Sequence, residues 1–229
     1  PPDIKESFGV GPLRAPDRPM SDSDLEFHYG ANLWPEQPPD LRDALTRYYD
    51  ELARLGSRVL RLFAAALELP LDFFEQFHTD PMCALRCINY PAIDGEPLPN
   101  QRGAGEHADY GSITMLKSDP RVPGLEVRLP TGEWVAAPLV ADGFIVNIGD
   151  MMARWTNDRW VSTLHRVSNP RNATGGTDRR QSMAFFHNTS FDATIECLPT
   201  CRDENGGAKY EPVLGGDYLM QRFTAALAG

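Results

Sequence analysis

The stretch Gly105-Glu106-His107-Ala108-Asp109-Tyr110-Gly111 places a histidine and a carboxylate two positions apart. On a strand, side chains two positions apart point to the same side, so His107 and Asp109 can reach one ion while the residue between them points away. A second imidazole, His165, stands much later in the chain, in Thr163-Leu164-His165-Arg166-Val167. Two imidazoles and a carboxylate suit one face of a metal ion and leave its other positions open. The fold must therefore bring these two distant stretches together.

A second pair of polar residues, Arg180 and Ser182, begins fifteen residues after His165 on the next predicted strand. A buried arginine is costly unless it meets an anion, and its planar guanidinium matches a carboxylate with two parallel hydrogen bonds. The hydroxyl of Ser182 adds a further donor. Taken alone, Arg180 would more simply pair with a surface carboxylate. Together with the metal ligands, the pair indicates a non-haem Fe(II) site with an anchor for 2-oxoglutarate.

The composition is typical of a folded protein that acts on small molecules. Of the 229 residues, 41% are hydrophobic and 10% aromatic, which is ample material for one core. The formal net charge of −10 and the pI near 4.9 argue against nucleic acid or an anionic membrane as a partner. No apolar run has the about 18 residues that a membrane span needs. We expect a cytoplasmic protein with a small-molecule substrate, as a monomer or weak homo-oligomer.

We expect a single catalytic domain over residues 1–229. Residues 1–40 hold eight prolines and little periodicity, so they are predicted to form an extended, loop-rich approach with one strand at Glu6-Val10. No helix is expected before Pro39. The remaining predicted segments are helices at 41–78, a β core at 84–190 and a C-terminal helix at 215–228.

A long amphipathic helix is predicted from Leu41, because apolar residues recur there at alternating steps of four and three. Asp40 occupies the N-cap position, and Pro70 is expected to stop the helix at Leu69. A short second helix is predicted over 72–77. The apolar stripe is interpreted as the face that packs on the protein's own sheet rather than on a partner.

The β core is predicted from short apolar or alternating runs separated by Gly, Pro, Asp and Asn. These runs are Leu85-Tyr90, Ser112-Leu116, Leu125-Leu129, Trp134-Ala137, Phe144-Asn147, Leu164-Ser168 and Ser182-Phe186. Such a series indicates a sandwich, barrel or jelly roll. Asp150 is predicted to cap a short helix at Met151-Trp155.

From about Asp3 to its C-terminus, the sequence resembles the iron- and 2-oxoglutarate-dependent dioxygenases of the isopenicillin N synthase-like family. The matching motifs stand in the family's order and spacing. They are Ile4-Lys5-Glu6-Ser7-Phe8, Asn89-Tyr90-Pro91, His107-Ala108-Asp109-Tyr110-Gly111, Gly124-Leu125-Glu126-Val127, Val146-Asn147-Ile148-Gly149-Asp150-Met151, Arg154-Trp155-Thr156-Asn157, Ser162-Thr163-Leu164-His165-Arg166-Val167 and Arg180-Gln181-Ser182.

The resemblance implies a mainly β fold with flanking helices, in which a double-stranded β-helix (jelly roll) packs against the long α-helix. It implies that Fe(II) binds to His107, Asp109 and His165. Arg180 and Ser182 match the anchor for the distal carboxylate of 2-oxoglutarate. Tyr90 matches a tyrosine that assists them, although it is also compatible with a half-buried strand position. The implied reaction uses O₂, releases succinate and CO₂, and most often hydroxylates a small molecule, with desaturation and ring formation as other outcomes.

Two departures from the family's pattern are visible. Ala108 stands where relatives commonly carry Thr, which removes a hydroxyl but no ligand. Family members also carry a substantial N-terminal portion ahead of the segment that resembles Ile4-Phe8, and we expect this portion to be absent from the chain.

Three other functions remain open at this point. An oxidase could keep the iron site but work without 2-oxoglutarate, in which case Arg180 would hold a substrate carboxylate. A catalytically silent jelly-roll binding protein and a hydrolytic zinc enzyme are further alternatives, and the zinc enzyme leaves the Arg180 and Ser182 pair unexplained.

The other histidines are expected to lie outside the metal site. His187 has the opposite strand parity to Arg180 and should point away from the metal. His78 is predicted to cap a short helix, and His28 to belong either to a substrate pocket or to a surface loop.

Overall fold

The computed structural model describes residues 2–94, 98–169 and 176–228, with the backbone alone for 227 and 228. Its helices are α1 (Asp22–Tyr29), α2 (Leu41–Ala66), α3 (Asp150–Trp155) and α4 (Gly215–Ala228). Its strands are β1 (Glu6–Val10), β2 (Ala84–Tyr90), β3 (Ala104–His107), β4 (Ile113–Ser118), β5 (Leu125–Arg128), β6 (Trp134–Ala136), β7 (Ile145–Ile148), β8 (His165–Val167), β9 (Arg180–His187), β10 (Thr194–Ile195) and β11 (Val213–Leu214).

The strands build two antiparallel sheets that face each other, together with a small β10-β11 ribbon. The larger sheet has the order β1-β2-β9-β4-β7, and the smaller one has the order β3-β8-β5-β6. Ile88 and Tyr90 of the larger sheet pack on Ala104 and Val167 of the smaller sheet. Apart from β5 and β6, which are consecutive, the paired strands of the two sheets are far apart in sequence, as in a jelly roll. The predicted jelly-roll core with flanking helices is confirmed.

Helix α2 covers the outer face of the larger sheet, as its apolar stripe predicted. Leu45, Tyr49 and Leu52 are buried against Leu85 and Phe185 of that sheet. Complete burial of one such leucine stabilises the fold by about 1.5 to 3 kcal/mol. The stripe is therefore core, and the charged side of the helix faces solvent.

The prediction of no helix before Pro39 is wrong, because α1 occupies 22–29. Its origin is capping: the Ser21 hydroxyl accepts a hydrogen bond from the Asp24 amide (3.1 Å), and two aspartates in the first turn favour the positive helix terminus. Apolar residues do not recur at a clear helical spacing in α1, so the hydrophobic pattern of the sequence does not predict this helix. The predicted strand at 6–10 is confirmed.

The boundaries of the other helices differ slightly from those predicted. Helix α2 ends at Ala66 rather than Leu69, because Glu68 adopts a left-handed conformation (φ 58°) and the Leu69 amide donates to the Ala64 carbonyl. The second helix is only a 3₁₀ turn at Glu75–Phe77. Asp40 precedes α2 without a side-chain capping bond, and Asp150 is the first residue of α3 rather than its cap.

Among the residues that the structure describes, no helix combines the length and the apolar character that a bilayer-spanning segment needs.

Candidate metal and cosubstrate site

The three predicted metal ligands converge between the two sheets. His107 ends β3 and His165 begins β8, and the two residues are register partners with ring centroids 4.3 Å apart. The Nε2 of His165 lies 3.7 Å from a carboxylate oxygen of Asp109. One ligand atom from each residue can be chosen so that all three lie within 4.8 Å of one another. This spacing fits one metal ion.

Asp109 does not lie on a strand, so the parity argument that paired it with His107 is wrong in its detail. Strand β3 ends at His107, and residues 108–110 are irregular. The backbone is held instead by α3, because the Asp150 amide donates to the Asp109 carbonyl (2.8 Å). Helix α3 therefore positions the loop that carries the carboxylate.

The close approach of α3 to this loop depends on glycine. A Cβ built on Gly149 would stand 2.2 Å from the carbonyl oxygen of Gly111, which no side chain tolerates. The amide of Gly149 donates to the Ser112 carbonyl (3.0 Å) and that of Met151 to the Gly111 carbonyl (3.1 Å). The predicted turn before α3 thus supports the loop that carries Asp109.

Asn147 is a site residue whose role the sequence did not predict. Its amide nitrogen donates a 2.6 Å hydrogen bond to a carboxylate oxygen of Asp109. The bond orients the carboxylate and leaves its other oxygen directed at His165. The sequence motif around Asn147 indicates only a structural turn. The hydrogen bond between Asn147 and Asp109 depends on the register of β4 and β7, which the motif does not contain.

Hydrogen bonds fix the orientation of both imidazoles. His107 Nδ1 contacts the Gly105 carbonyl (2.8 Å), and His165 Nδ1 contacts the Thr163 carbonyl (3.0 Å). A carbonyl only accepts, so each Nδ1 must donate its proton and each Nε2 keeps a free lone pair. Burial, followed by the proximity of His165, lowers the pKa of His107 and favours the neutral form that binds metals.

The Arg180 side chain is buried and under-bonded. It is 4% exposed, and its Nε and Nη1 atoms have no hydrogen-bond partner among the described residues. Burial also lowers the pKa of its guanidinium. The hydroxyl of Ser182, which is 5% exposed, is likewise unpartnered within residues 2–94, 98–169 and 176–228. Such donors are costly to bury without an acceptor, so the pair fits a carboxylate from a bound molecule.

Tyr90 lies beside this anchor. It is the register partner of Arg180 on β2, and the guanidinium carbon stands 5.1 Å from the centre of its ring. Its burial is nearly complete, at 6% exposure. Tyr90 is therefore a buried residue beside Arg180 and not a half-buried strand residue.

All six predicted site residues line one cavity of about 120 Å³ between the sheets. Apolar side chains of both sheets complete its walls, and Lys5 and Arg86, which the sequence did not indicate, stand on its wall as well. Two imidazoles, one oriented carboxylate and a separate carboxylate anchor form a donor set that suits Fe(II) with a chelating keto acid.

The other histidines lie away from this cavity. His187 points to the opposite face of the sheet, where a Cβ on Gly56 of α2 would stand 2.3 Å from its ring, so its prediction is confirmed. His78 Nδ1 donates to the Phe74 carbonyl (2.8 Å), which matches the predicted capping role. His28 is buried in α1 beside Phe191 and does not line this cavity, so the surface-loop alternative is wrong.

Comparison with known proteins shows related sequences and folds. The family described as the 2OG-Fe(II) oxygenase superfamily matches residues 79–189. The chain is 39% identical over 197 residues to the homoarginine-6-hydroxylase 2-ODD-233 of Oryza sativa subsp. japonica, a match that covers 84% of this chain. It is 35% identical over 236 residues to the clavatol oxidase claD of Penicillium crustosum, a match that covers 99% of this chain and 67% of that protein.

The fold is also similar to solved structures. A Neurospora crassa protein crystallised in complex with alpha-KG and thymine superimposes with a TM-score of 0.85 at 35% identity, covering 98% of this chain and 66% of that chain. The chain spans 58% of the length of the rice homoarginine-6-hydroxylase and of the related enzyme from Glycine max.

Proposed function

Because the chain belongs to the 2OG-Fe(II) oxygenase superfamily, we propose that it is an Fe(II)- and 2-oxoglutarate-dependent oxygenase that oxidises a small molecule. The observation that carries the proposal is the cavity in which the metal-ligand triad faces a buried, under-bonded arginine and serine. Iron, 2-oxoglutarate and O₂ would supply the oxidising chemistry, with release of succinate and CO₂.

In this proposal the metal is held by His107, Asp109 and His165. The free Nε2 atoms of the two imidazoles and the carboxylate oxygen not bonded to Asn147 are the donors that face one another. Two neutral imidazoles and one carboxylate around a divalent ion leave a single positive charge. That charge suits a second, anionic chelator at the open positions.

Arg180 and Ser182 are proposed to bind the distal carboxylate of 2-oxoglutarate, with Tyr90 beside them. The two unpartnered guanidinium nitrogens and the unpartnered hydroxyl are the donors that such a carboxylate would satisfy. The ring of Tyr90 limits the positions that the guanidinium can adopt. The anchor thereby sets the direction in which the keto-acid end reaches the metal.

The relatives support a small-molecule substrate and favour hydroxylation. Their names include homoarginine-6-hydroxylases and a validamycin A dioxygenase, and the Neurospora crassa structure has thymine bound. The net charge of −10 supports the absence of a nucleic-acid or anionic membrane partner. The cytoplasmic location and the monomeric or weakly homo-oligomeric state stay predictions from the sequence.

An anaerobic titration tests the proposal and separates it from its alternatives. Addition of Fe(II) and then 2-oxoglutarate should give a visible metal-to-ligand charge-transfer band, and aerobic assays with a panel of small molecules should release succinate. Asp109→Ala should abolish both signals, because it removes the only carboxylate of the triad. Asp142→Ala is a matched control, since Asp142 is exposed in a loop away from the cavity.

Three results would contradict the proposal. No band with intact wild-type protein would favour the silent binding protein, and O₂ consumption with substrate but without 2-oxoglutarate would favour the oxidase. Full activity of the Asp109→Ala protein would rule out the metal assignment.

A further inference from the structure

Arg86 stands on the wall of the metal cavity, although nothing in the sequence motifs pointed to it. Arg86, Ile88 and Tyr90 are every second residue of β2, so their side chains share the inner face of the larger sheet. All three line the cavity. Tyr90 is paired with Arg180, whereas Arg86 is paired with Ala184 further along β9. Arg86 is therefore a second cation on the same wall, separate from the carboxylate anchor.

Arg86 lies at the exposed end of the cavity wall, and its guanidinium has free donors. Within residues 2–94, 98–169 and 176–228 it forms no hydrogen bond or ion pair, and its nearest described partner is the ring of Phe186, whose centre lies 6.0 Å away. Its register neighbours on the two adjacent strands are Gly9 and Ala184, which leave room beside it. A Cβ placed on Gly9 would meet no atom within 4 Å. Space and donors are thus available for a ligand.

This ligand cannot be the same carboxylate that Arg180 holds. Arg86 lies opposite Ala184, four residues beyond Arg180 on β9, a separation of about 13 Å along an antiparallel strand. The carboxylate carbons of 2-oxoglutarate are only four bonds apart, and one carboxylate is committed to the metal in the proposed function. Arg86 is left for a different molecule in the cavity.

Among the described side chains that line the cavity, Arg86 is the cation that has no anionic partner and is not part of the proposed 2-oxoglutarate anchor. Lys5 also lines the cavity, but its ammonium is 2.8 Å from a carboxylate oxygen of Asp3 and is already neutralised. An unpaired arginine on the wall of a cavity in a chain of net charge −10 attracts an anion locally, against the average field of the protein. Leu116 and Ile145 present apolar surface to the same cavity.

We propose that Arg86 binds the carboxylate of the primary substrate, so that the substrate is a small carboxylic acid whose apolar body lies against Phe186 and the neighbouring aliphatic wall. The proposal rests on the proposed function, because it takes the triad cavity to be the reaction site. It deepens that function by naming the class of molecule that is oxidised and the residue that selects it.

Equilibrium dialysis of benzoate and benzamide against the Fe(II)- and 2-oxoglutarate-loaded protein, without O₂, tests the proposal. The two probes have nearly the same shape and differ in charge. We expect benzoate to bind at least tenfold more tightly than benzamide, since a hydrogen bond between two charged groups is stronger than one between a charged and a neutral group. Arg86→Gln should remove this preference, and Arg86→Lys should keep part of it because it keeps the charge.

Arg42→Gln is the matched control. Arg42 is an exposed arginine on α2 whose guanidinium also lies 6.0 Å from the centre of an aromatic ring, that of Trp34, and it does not line the metal cavity. Its replacement should leave the preference for benzoate intact. The charge-transfer band with 2-oxoglutarate should be the same in wild type, Arg86→Gln and Arg42→Gln.

The outcomes separate this proposal from the function on which it rests. Absence of the charge-transfer band in wild type would overturn the proposed function. A normal band with equal binding of benzoate and benzamide, or with an unchanged preference in Arg86→Gln, would overturn the role of Arg86. A loss of 2-oxoglutarate affinity in Arg86→Gln would also overturn it, because Arg86 would then serve the cosubstrate.

Discussion

Truncation of Arg180 to alanine should separate cosubstrate binding from metal binding. The side chain offers two buried nitrogens that have no partner among the described residues, and the metal ligands do not contact it in any hydrogen bond or ion pair that the structure describes. A hydrogen bond from a charged donor is worth about 1.5 to 3 kcal/mol, so two such bonds to a carboxylate contribute at least about 3 kcal/mol. Affinity for 2-oxoglutarate should therefore fall about 100-fold or more.

Two assays measure this loss in different ways. The dissociation constant of 2-oxoglutarate follows from the charge-transfer band of the anaerobic Fe(II) protein. Thermal or urea unfolding gives the second value: at a cosubstrate concentration 100 times the wild-type dissociation constant, binding stabilises the wild type by about 2.7 kcal/mol. A variant with 100-fold weaker binding should gain only about 0.4 kcal/mol.

Arg179→Ala is the matched control, because Arg179 precedes Arg180 in sequence but is exposed and donates to the side chain of Asn89 (2.7 Å). Its loss should leave cosubstrate affinity within about threefold of wild type, since a surface hydrogen bond contributes little. The reasoning would be refuted if Arg180→Ala weakened 2-oxoglutarate binding less than tenfold, or if Arg179→Ala weakened it equally. Loss of Fe(II) binding in Arg180→Ala would also contradict it.

Two further predictions concern the metal ligand and the buried histidines. Asn147→Ala should lower Fe(II) affinity about 10- to 100-fold in an anaerobic metal titration, because Asp109 loses its orienting donor. The control Asn89→Ala removes an exposed 3.0 Å hydrogen bond to Glu6 and should leave Fe(II) affinity unchanged. Equal Fe(II) affinities of the two variants would contradict the orienting role of Asn147. The free energy of unfolding should fall as the pH drops from about 6.5 towards 4. Burial lowers the pKa of His78 to about 4 and that of His187 well below its ordinary value, so both rings stay neutral in the folded protein. In the unfolded chain the same rings take up protons from about pH 6.5, which favours unfolding. Urea unfolding at pH 7, 5.5 and 4.5 measures this slope, which His78→Gln should reduce and which would be absent if the two rings were solvated.

Several features of the fold were predictable because they are local in sequence. The stripe of apolar residues along 41–66 has the helical period, and the alternating runs between 84 and 190 have the strand period. Both patterns arise because one face of each element is buried, and they do not depend on which other element covers that face. Helix α1 was not predicted from periodicity, because it is marked by the capping residue Ser21 and not by apolar residues at helical spacing.

The candidate metal site was likewise predictable only in part. Residue chemistry alone indicated His107, Asp109 and His165, since two imidazoles and a carboxylate are ligands wherever the fold brings them together. The predicted geometry of Asp109 was wrong because β3 ends at His107, and the carboxylate is placed by α3 and Asn147 instead. These contacts join segments about forty residues apart, and no local pattern encodes them.

The sequence by itself determined the long helix α2, the β character of the core and the chemical identity of the predicted ligands, because periodicity and side-chain chemistry are properties of single segments. Periodicity left a sandwich, a barrel and a jelly roll open, and only the resemblance to a known family favoured the jelly roll. The tertiary structure alone decided which donor orients Asp109 and that Arg86 shares the cavity of Tyr90 and Arg180. Strand register fixes these relations, since a shift of one residue would move each of these side chains to the other face of the sheet. Register is set by the packing of the whole sheet, which no single stretch contains.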